Sequence, residues 1–338
     1  MTSATLDGKS ILVTGGSGSF GQRFVATVLE RSEPKRLIIF SRDELKQFEM
    51  AQRFSPADHR CLRYFIGDVR DLDRLWEAFL HVDIVVHAAA LKQVPTAEYN
   101  PFEAIQTNVL GAQNVIRAAI RQKVSSVIAL STDKAANPVN LYGATKLCSD
   151  KLFVAAGSMS GVDGTRFAAV RYGNVVGSRG SVIPFFVGRR DSGVLPITDK
   201  RMTRFSITLQ EGVDFVLQSL ESMLGGEIFV PKLPSYRIMD VARAIAPEAE
   251  YKFVGIRPGE KVHETLVPAD ESWHSVEFDD HFVIAPMRSW RRREPEFMSR
   301  GGRVCESGFS YTSDNNTSWL SLENIRALVQ GIEATVKP

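Results

Sequence analysis

The sequence predicts an α/β fold, a doubly wound parallel sheet with a smaller C-terminal region, and three observations carry that prediction. Apolar, β-branched runs recur at residues 10–13, 36–40, 62–66, 84–87, 126–130 and 167–171, with about 20 to 40 residues of largely helical pattern between them. The runs are apolar on both faces rather than alternating, as strands are when helices cover both sides of a parallel sheet. A glycine-rich turn follows the first run directly. The 338 residues, 44% apolar and 24% charged, suffice for a sizeable core.

Taken in order, the first run (10–13) leads into Thr14-Gly15-Gly16-Ser17-Gly18-Ser19-Phe20-Gly21 and then a helical pattern over 22–30. Gly15 permits the tight strand-to-helix turn, Gly18 lets a pyrophosphate approach the backbone, and Gly21 allows close helix-to-sheet packing. The helix amino terminus then faces the phosphates, so this is a dinucleotide-binding turn of the Rossmann kind. Gly8-Lys9-Ser10 is a rival phosphate loop, but it lacks the upstream glycine, position 3 being Ser3, and a strand rather than a helix follows it. The second run ends in Ser41-Arg42-Asp43, about 20 residues after Gly21, where an acidic side chain normally holds the ribose 2′-hydroxyl of NAD. Ser41 and Arg42 suit a 2′-phosphate instead, so NADP is expected over NAD. After the third run Asp68, ahead of Val69, offers a carboxylate to an adenine amino group, and after the fourth Ala88, Ala89 and Ala90 keep the backbone accessible.

The fifth run is followed by Ser131-Thr132-Asp133-Lys134, and further on by Tyr142 and Lys146. Four residues apart, Tyr142 and Lys146 share one helix face, so the ammonium is expected to lower the phenol's pKa and to reach the nicotinamide ribose. Beyond residue 172 the βα rhythm gives way to Gly- and Pro-containing segments, with one further strand candidate at 227–230. The expected division is therefore a nucleotide-binding domain over 1–172, joined by a return strand and helix near 205–230, and a mainly substrate-binding region over 173–338. The six arginines within 288–303 are expected on a solvated or subunit-facing loop.

Composition narrows the partner. Lys plus Arg numbers 41 against 39 for Asp plus Glu, net +2, so no field of one sign awaits a nucleic acid or an anionic membrane, and a small molecule is expected. Cys61, Cys148 and Cys305 lack the paired short spacings of a zinc or redox site, which predicts free thiols and no metal. The amino terminus is short and polar and no run of eighteen apolar residues occurs, so a cytoplasmic location is expected.

With these residues in view, the chain resembles the extended short-chain dehydrogenase/reductase family: the glycine turn, Asp68, Ala88 to Ala90, Asn108, Thr132 and the Tyr142/Lys146 pair all match over about residues 8–270. Within it, the chain is similar to nucleotide-sugar 4,6-dehydratases of the inverting UDP-N-acetylglucosamine type, which feed pseudaminic acid synthesis. The blocks that carry this are residues 41–46, Ala89-Ala90-Leu91-Lys92-Gln93-Val94-Pro95, residues 131–135, Arg171-Tyr172-Gly173-Asn174-Val175 and Arg257-Pro258-Gly259-Glu260-Lys261 with His263-Glu264.

The resemblance implies a catalytic set of Thr132, Asp133, Lys134, Tyr142 and Lys146. Tyr142 would take the C4 hydroxyl proton as hydride leaves C4 for the nicotinamide. Asp133 would be the acid for the C6 oxygen. Lys134, where retaining relatives carry a carboxylate, would be the base at C5, provided burial lowers its pKa. The cofactor set implied is Thr14, Gly15, Ser17, Gly18, Ser19, Phe20, Gly21, Ser41, Arg42, Asp68, Val69, Ala88, Ala89, Ala90, Asn108, Tyr142 and Lys146. For a UDP-sugar the implied contacts are Lys92 at the sugar, Asn174 and Arg257 at the diphosphate, Thr198, Arg204 and Glu264 at the nucleoside, with Arg179 and Val182 also in the substrate region. A homo-oligomer, dimer or hexamer, is expected. The alternatives are a retaining dehydratase, a 4-epimerase, or an NADP-binding regulator without turnover.

Overall fold

The computed structural model describes residues 6–161, 164–177 and 181–336. In the first half, β1 (Ser10–Thr14), β2 (Arg36–Ser41), β3 (Leu62–Ile66), β4 (Ile84–His87), β5 (Ser126–Leu130) and β6 (Arg166–Val170) are interleaved with α1 (Ser19–Arg31), α2 (Glu44–Arg53), α3 (Leu72–Ala78), α4 (Val94–Tyr99), α5 (Pro101–Ile105), α6 (Gly111–Arg121) and α7 (Leu141–Ser160). The strands are parallel in the spatial order β3-β2-β1-β4-β5-β6, with Ile11 facing Leu37 on one side and Ile84 on the other. Every residue of β1 and β4 is buried, which is why neither alternates. Ile11 and Val13 enter one apolar layer with Phe24 and Val25 of α1; Leu12 enters the opposite layer with Leu75 and Val115. From β1 the chain winds outward to β2 and β3, then returns to the other side at β4. A crevice opens at that switch, beyond the carboxyl ends of β1 and β4, where ligands bind in open α/β sheets.

The second half comprises β7 (Asn174–Val175), α8 (Val182–Val187), β8 (Val194–Ile197), β9 (Thr203–Ile207), α9 (Leu209–Ser222), β10 (Ile228–Pro231), β11 (Ser235–Arg237), α10 (Ile238–Ile245), β12 (Glu250–Phe253), β13 (Thr265–Val267), β14 (Ser275–Glu277), β15 (His281–Ile284), α11 (Trp290–Ser299), β16 (Arg303–Val304), β17 (Tyr311–Thr312) and α12 (Leu322–Val336). β10 extends the main sheet in parallel beside β6; β15, β14 and β16 then continue it antiparallel to a total of ten strands. Three small sheets, β11-β9-β7, β12-β8 and β13-β17, complete the second half. A capping box at Thr208 and Glu211 starts α9.

The arginine-rich segment is not the loop expected. It forms α11 and β16, with Arg293 bonded to the buried Glu227 at 3.0 Å and to Gly225 O, Arg300 to Ser222 O at 3.0 Å, and Arg303 to Glu277 at 3.1 Å. Glu227 is buried and needs a counter-charge, which the helix supplies. Among the described residues no helix is long and apolar enough to cross a membrane.

Candidate active site

The glycine turn sits at the switch point. Gly15 has φ +66°, and a Cβ there would stand 2.9 Å from the backbone of Ala89, so the loop after β4 closes directly on the loop after β1. Ala88 N donates to Thr14 O at 3.1 Å and Ala89 N to Thr14 Oγ1 at 3.3 Å, locking the two loops. Helix α1 begins at Gly18 with no side-chain cap and no acid in its first turn. Its free N–H groups and dipole end therefore suit an anion. A Cβ on Gly21 would meet Gly16, which keeps α1 tight against the turn. These features fit a dinucleotide pyrophosphate. Ser19 is exposed at the helix start and Phe20 half-buried, whereas Ser17 is buried.

At the β2 corner the Ser41 hydroxyl accepts from Ser17 Oγ at 2.9 Å and from Gln47 Nε2 at 3.0 Å, so it is buried and largely committed within the protein. The positive charge at this corner is guanidinium. Arg42 lies 3.4 Å from Asp68, and Arg70, which the sequence reading missed, holds the same carboxylate at 2.8 Å and Glu103 at 2.6 Å. Burial alone would raise the Asp68 pKa; the bonds from Arg70 and the charge of Arg42 outweigh it and hold the carboxyl below its usual range. Val69 is a core residue next to it.

Asn108 is buried beneath the loop after β4. It lies in a π-helical turn, Gln106–Leu110, and its amide is spent inside the protein: Oδ1 accepts from Leu91 N at 2.8 Å, while Nδ2 donates to Leu91 O at 2.9 Å and Thr145 Oγ1 at 3.0 Å. It ties the loop that carries Ala90 and Lys92 to α7.

The residues expected to be catalytic converge at the end of β5 and the start of α7. Asn140 caps α7 by accepting from Gly143 N at 2.8 Å, and its Nδ2 donates to Gly259 O at 2.8 Å, clamping the 257–261 segment over the helix start. Thr132 donates to Asp133 Oδ1 at 2.8 Å, and Lys134 Nζ donates to the same oxygen at 3.0 Å and to Asn174 Oδ1 at 3.2 Å. Asp133 is fully buried, and its Oδ2 has no hydrogen-bond partner among the described residues. Tyr142 is buried, which pushes its phenol up to about 12 against the opposing Lys134 charge and the Thr132 hydroxyl. The Lys134 ammonium therefore favours the phenolate. One turn further along α7, burial lowers the pKa of Lys146 against the opposing charge of Asp150.

The expectation that burial lowers Lys134's pKa is also overturned. Burial acts in that direction, but Asp133 and Glu264 more than offset it and hold the ammonium. Glu264, expected at the nucleoside, is buried with Oε1 3.9 Å from Lys134 Nζ and 3.5 Å from Arg204 Nε, because the residues leading into β13 run past the Asp133–Ala135 turn. Arg204 spends its other nitrogens on the carbonyls of Thr203, Lys261 and Val262. Lys92 feels the Lys134 charge and, with partial burial, falls below its usual pKa. Arg257 is exposed, 3.8 Å from Glu260; Thr198 is half-buried after β8; Val182 starts α8 against an apolar cluster. Arg179 lies outside the described residues.

A family model described as polysaccharide biosynthesis protein matches residues 11–286. The chain belongs to this family. It is 53% identical, over 96% of its length and 98% of the relative's, to a UDP-N-acetylglucosamine 4,6-dehydratase (inverting) of Campylobacter jejuni. A UDP-glucose 4-epimerase of Rickettsia conorii is 42% identical over 95% of each chain. The X-ray structure of Pen from Bacillus thuringiensis superposes with a TM-score of 0.86 at 36% identity, covering 96% of this chain and 98% of that one.

In this member of the polysaccharide biosynthesis family a second buried network supports α7 from below. Arg171, with no exposed surface, bonds Asp150 at 3.3 Å, Glu271 at 3.0 Å and Leu266 O at 3.1 Å; Ser131 donates to Asp150 at 2.7 Å. The sequence analysis missed Asp150, although its place one turn beyond Lys146 on the same helix face was a signal that could have found it. Glu271, more than 100 residues away in sequence, left no such signal.

Proposed function

We propose that the protein is a UDP-N-acetylglucosamine 4,6-dehydratase that inverts C5. The observation that carries this reading is the Thr132-Asp133-Lys134 turn packed against Tyr142, with a lysine where a retaining enzyme would use a carboxylate. The 53% identical relative, an inverting dehydratase by name, supports the same choice over the 4-epimerase. A bound nicotinamide dinucleotide supplies the hydride acceptor for C4 and the donor for C6, so no net redox occurs. Its holders would be the Gly15–Gly21 turn and Ala88 to Ala90, with Lys146 at the ribose. Arg42 and Arg70 favour NADP.

The chain's own groups move the protons. Tyr142 acts as the phenolate, the form that the Lys134 charge and the Thr132 hydroxyl favour, and accepts the C4 hydroxyl proton. The resulting 4-ketone acidifies H5. Moving one proton across the 3.0 Å Lys134–Asp133 contact then arms both partners, leaving Lys134 an amine that can remove H5 and Asp133 an acid whose proton departs with the C6 oxygen as water. Lys92, Asn174 and Arg257 line the route for the UDP-sugar. In this reading residues 1–172 with the 205–230 return bind cofactor, and 173–338 mainly bind substrate. The exposed Tyr99 and Phe102 support a homo-oligomer. The product would serve surface or flagellar glycan synthesis, including pseudaminic acid. Incubation with UDP-N-acetylglucosamine and no added reductant should yield a sugar with a C6 methyl and a C4 ketone by NMR; a C4 epimer that keeps its C6 hydroxyl would mean an epimerase.

A further inference from the structure

One ammonium is flanked by two carboxylates. Lys134 Nζ donates to Asp133 Oδ1 at 3.0 Å and stands 3.9 Å from Glu264 Oε1, while Glu264 Oε2 is buried without a hydrogen-bond partner among the described residues. Backbone fixes Glu264 there. Its N–H donates to Ser313 Oγ at 2.9 Å, and its carbonyl accepts from Ser313 N at 2.8 Å. Thr203 Oγ1 in turn meets Ser313 Oγ at 2.7 Å and His263 Nδ1 at 2.8 Å, so β9 and the residue after β17 brace the Glu264 backbone.

We propose that Glu264 is a positioning residue for the C5 proton transfer: its carboxylate fixes the Lys134 ammonium and sets how readily that ammonium gives up its proton. The inference rests on Lys134 being the C5 base. To take H5, Nζ needs a lone pair; the C5–H electrons then pass into the bond to the C4 ketone, the C6–O bond breaks, and Asp133 protonates the leaving hydroxyl. Each carboxylate near Nζ opposes formation of that lone pair. The other charged and titratable groups facing Lys134 are Arg204, Lys92, Lys261, Tyr142 and Tyr236. The first three are basic and favour the amine. Without the Glu264 charge Asp133 is the main anion left against them, and the balance tips toward the reactive form. Glu264 thus keeps the base protonated in the free enzyme.

The test uses the full-length protein with its cofactor, labelled with [ε-13C]lysine, the Lys134 resonance being assigned by its loss in Lys134→Arg. The unsubstituted protein should show no Lys134 midpoint up to about pH 10.4, the ordinary lysine value. Glu264→Gln should bring the midpoint below it, by one pH unit or more, and Glu264→Asp, which draws the charge back by one methylene, should fall between. If Gln fails to fold, the Asp variant alone carries the test. The pH profile of C5 hydrogen exchange from D₂O into substrate should move to lower pH in the same order, whereas a merely structural role would depress exchange alike at all pH values. Midpoints unchanged in both variants would overturn the proposal and leave the dehydratase reading intact. Failure of the unsubstituted protein to form a 4-keto-6-deoxy sugar would overturn that reading independently, since the titration needs no turnover.

Discussion

Arg42 and Arg70 meet on the carboxylate of Asp68 from opposite directions, one from the end of β2 and one from the loop after β3. A 2′-phosphate at this corner would gain two charge-assisted partners, each worth on the order of 1 to 3 kcal/mol. Arg42→Ala and Arg70→Ala should each weaken NADP binding by about 10-fold or more while leaving NAD nearly unchanged, measured by calorimetry. An NADP-to-NAD ratio equal to that of the unsubstituted protein in both variants would remove the assignment. The sequence marked Arg42 because it follows a strand end at a characteristic distance from the glycine turn. Arg70 had no such marker, since its role depends on where the loop after β3 folds back. Lys134 makes a similar point. Its residue type was legible, but its charge state depends on Glu264, which lies 130 positions away in the chain and meets it only through the fold.

At the level of elements, the β1–α1 turn and the loop after β4 act as one unit. Gly15 combines a positive φ with a backbone approach that leaves no room for a methyl group, so Gly15→Ala suffers both strain and collision with Ala89. That variant should lose about 1 to 3 kcal/mol of stability from backbone strain and bind the dinucleotide far more weakly, checked by urea unfolding with and without cofactor. Full cofactor stabilisation in Gly15→Ala would contradict the cradle. The six parallel strands and the glycine turn were readable because burial on both faces and turn geometry leave local signatures. The antiparallel extension by β15, β14 and β16 was not, because strands of two to four residues carry too little pattern. The partners of Asn108 were hidden for a related reason: its residue type gave no sign that a π-helical turn would aim its amide at Leu91 and Thr145.

Across the whole molecule, buried ionisable groups tie stability to pH. His87 in β4 is buried, its Nδ1 2.8 Å from Thr14 Oγ1, and burial together with the Lys146 charge lowers it to about 3. A histidine whose pKa is depressed in the fold contributes stability that is complete above its unfolded value of 6.5 and lost as pH falls from there toward 3. At pH 5 this amounts to about 2 kcal/mol. Glu271 acts in the same sense lower down: burial would raise it, but Arg171 and Lys151 bring it to about 2, so its contribution goes as pH falls from 4.5 toward that value. Urea midpoints should therefore drop between pH 7.5 and pH 5, and His87→Gln should narrow the drop; an equal drop in both proteins would contradict the assignment. The same buried architecture holds Asp133, Lys134 and Tyr142 in one enclosure, and the central claim is that this enclosure inverts C5. The most direct measurement is NMR of the product formed from UDP-N-acetylglucosamine in D₂O without added reductant. The product should carry deuterium at C5 with inverted configuration and the substrate's own C4 hydrogen in the C6 methyl group; a C6 methyl beside a C5 of retained configuration would rule out inversion.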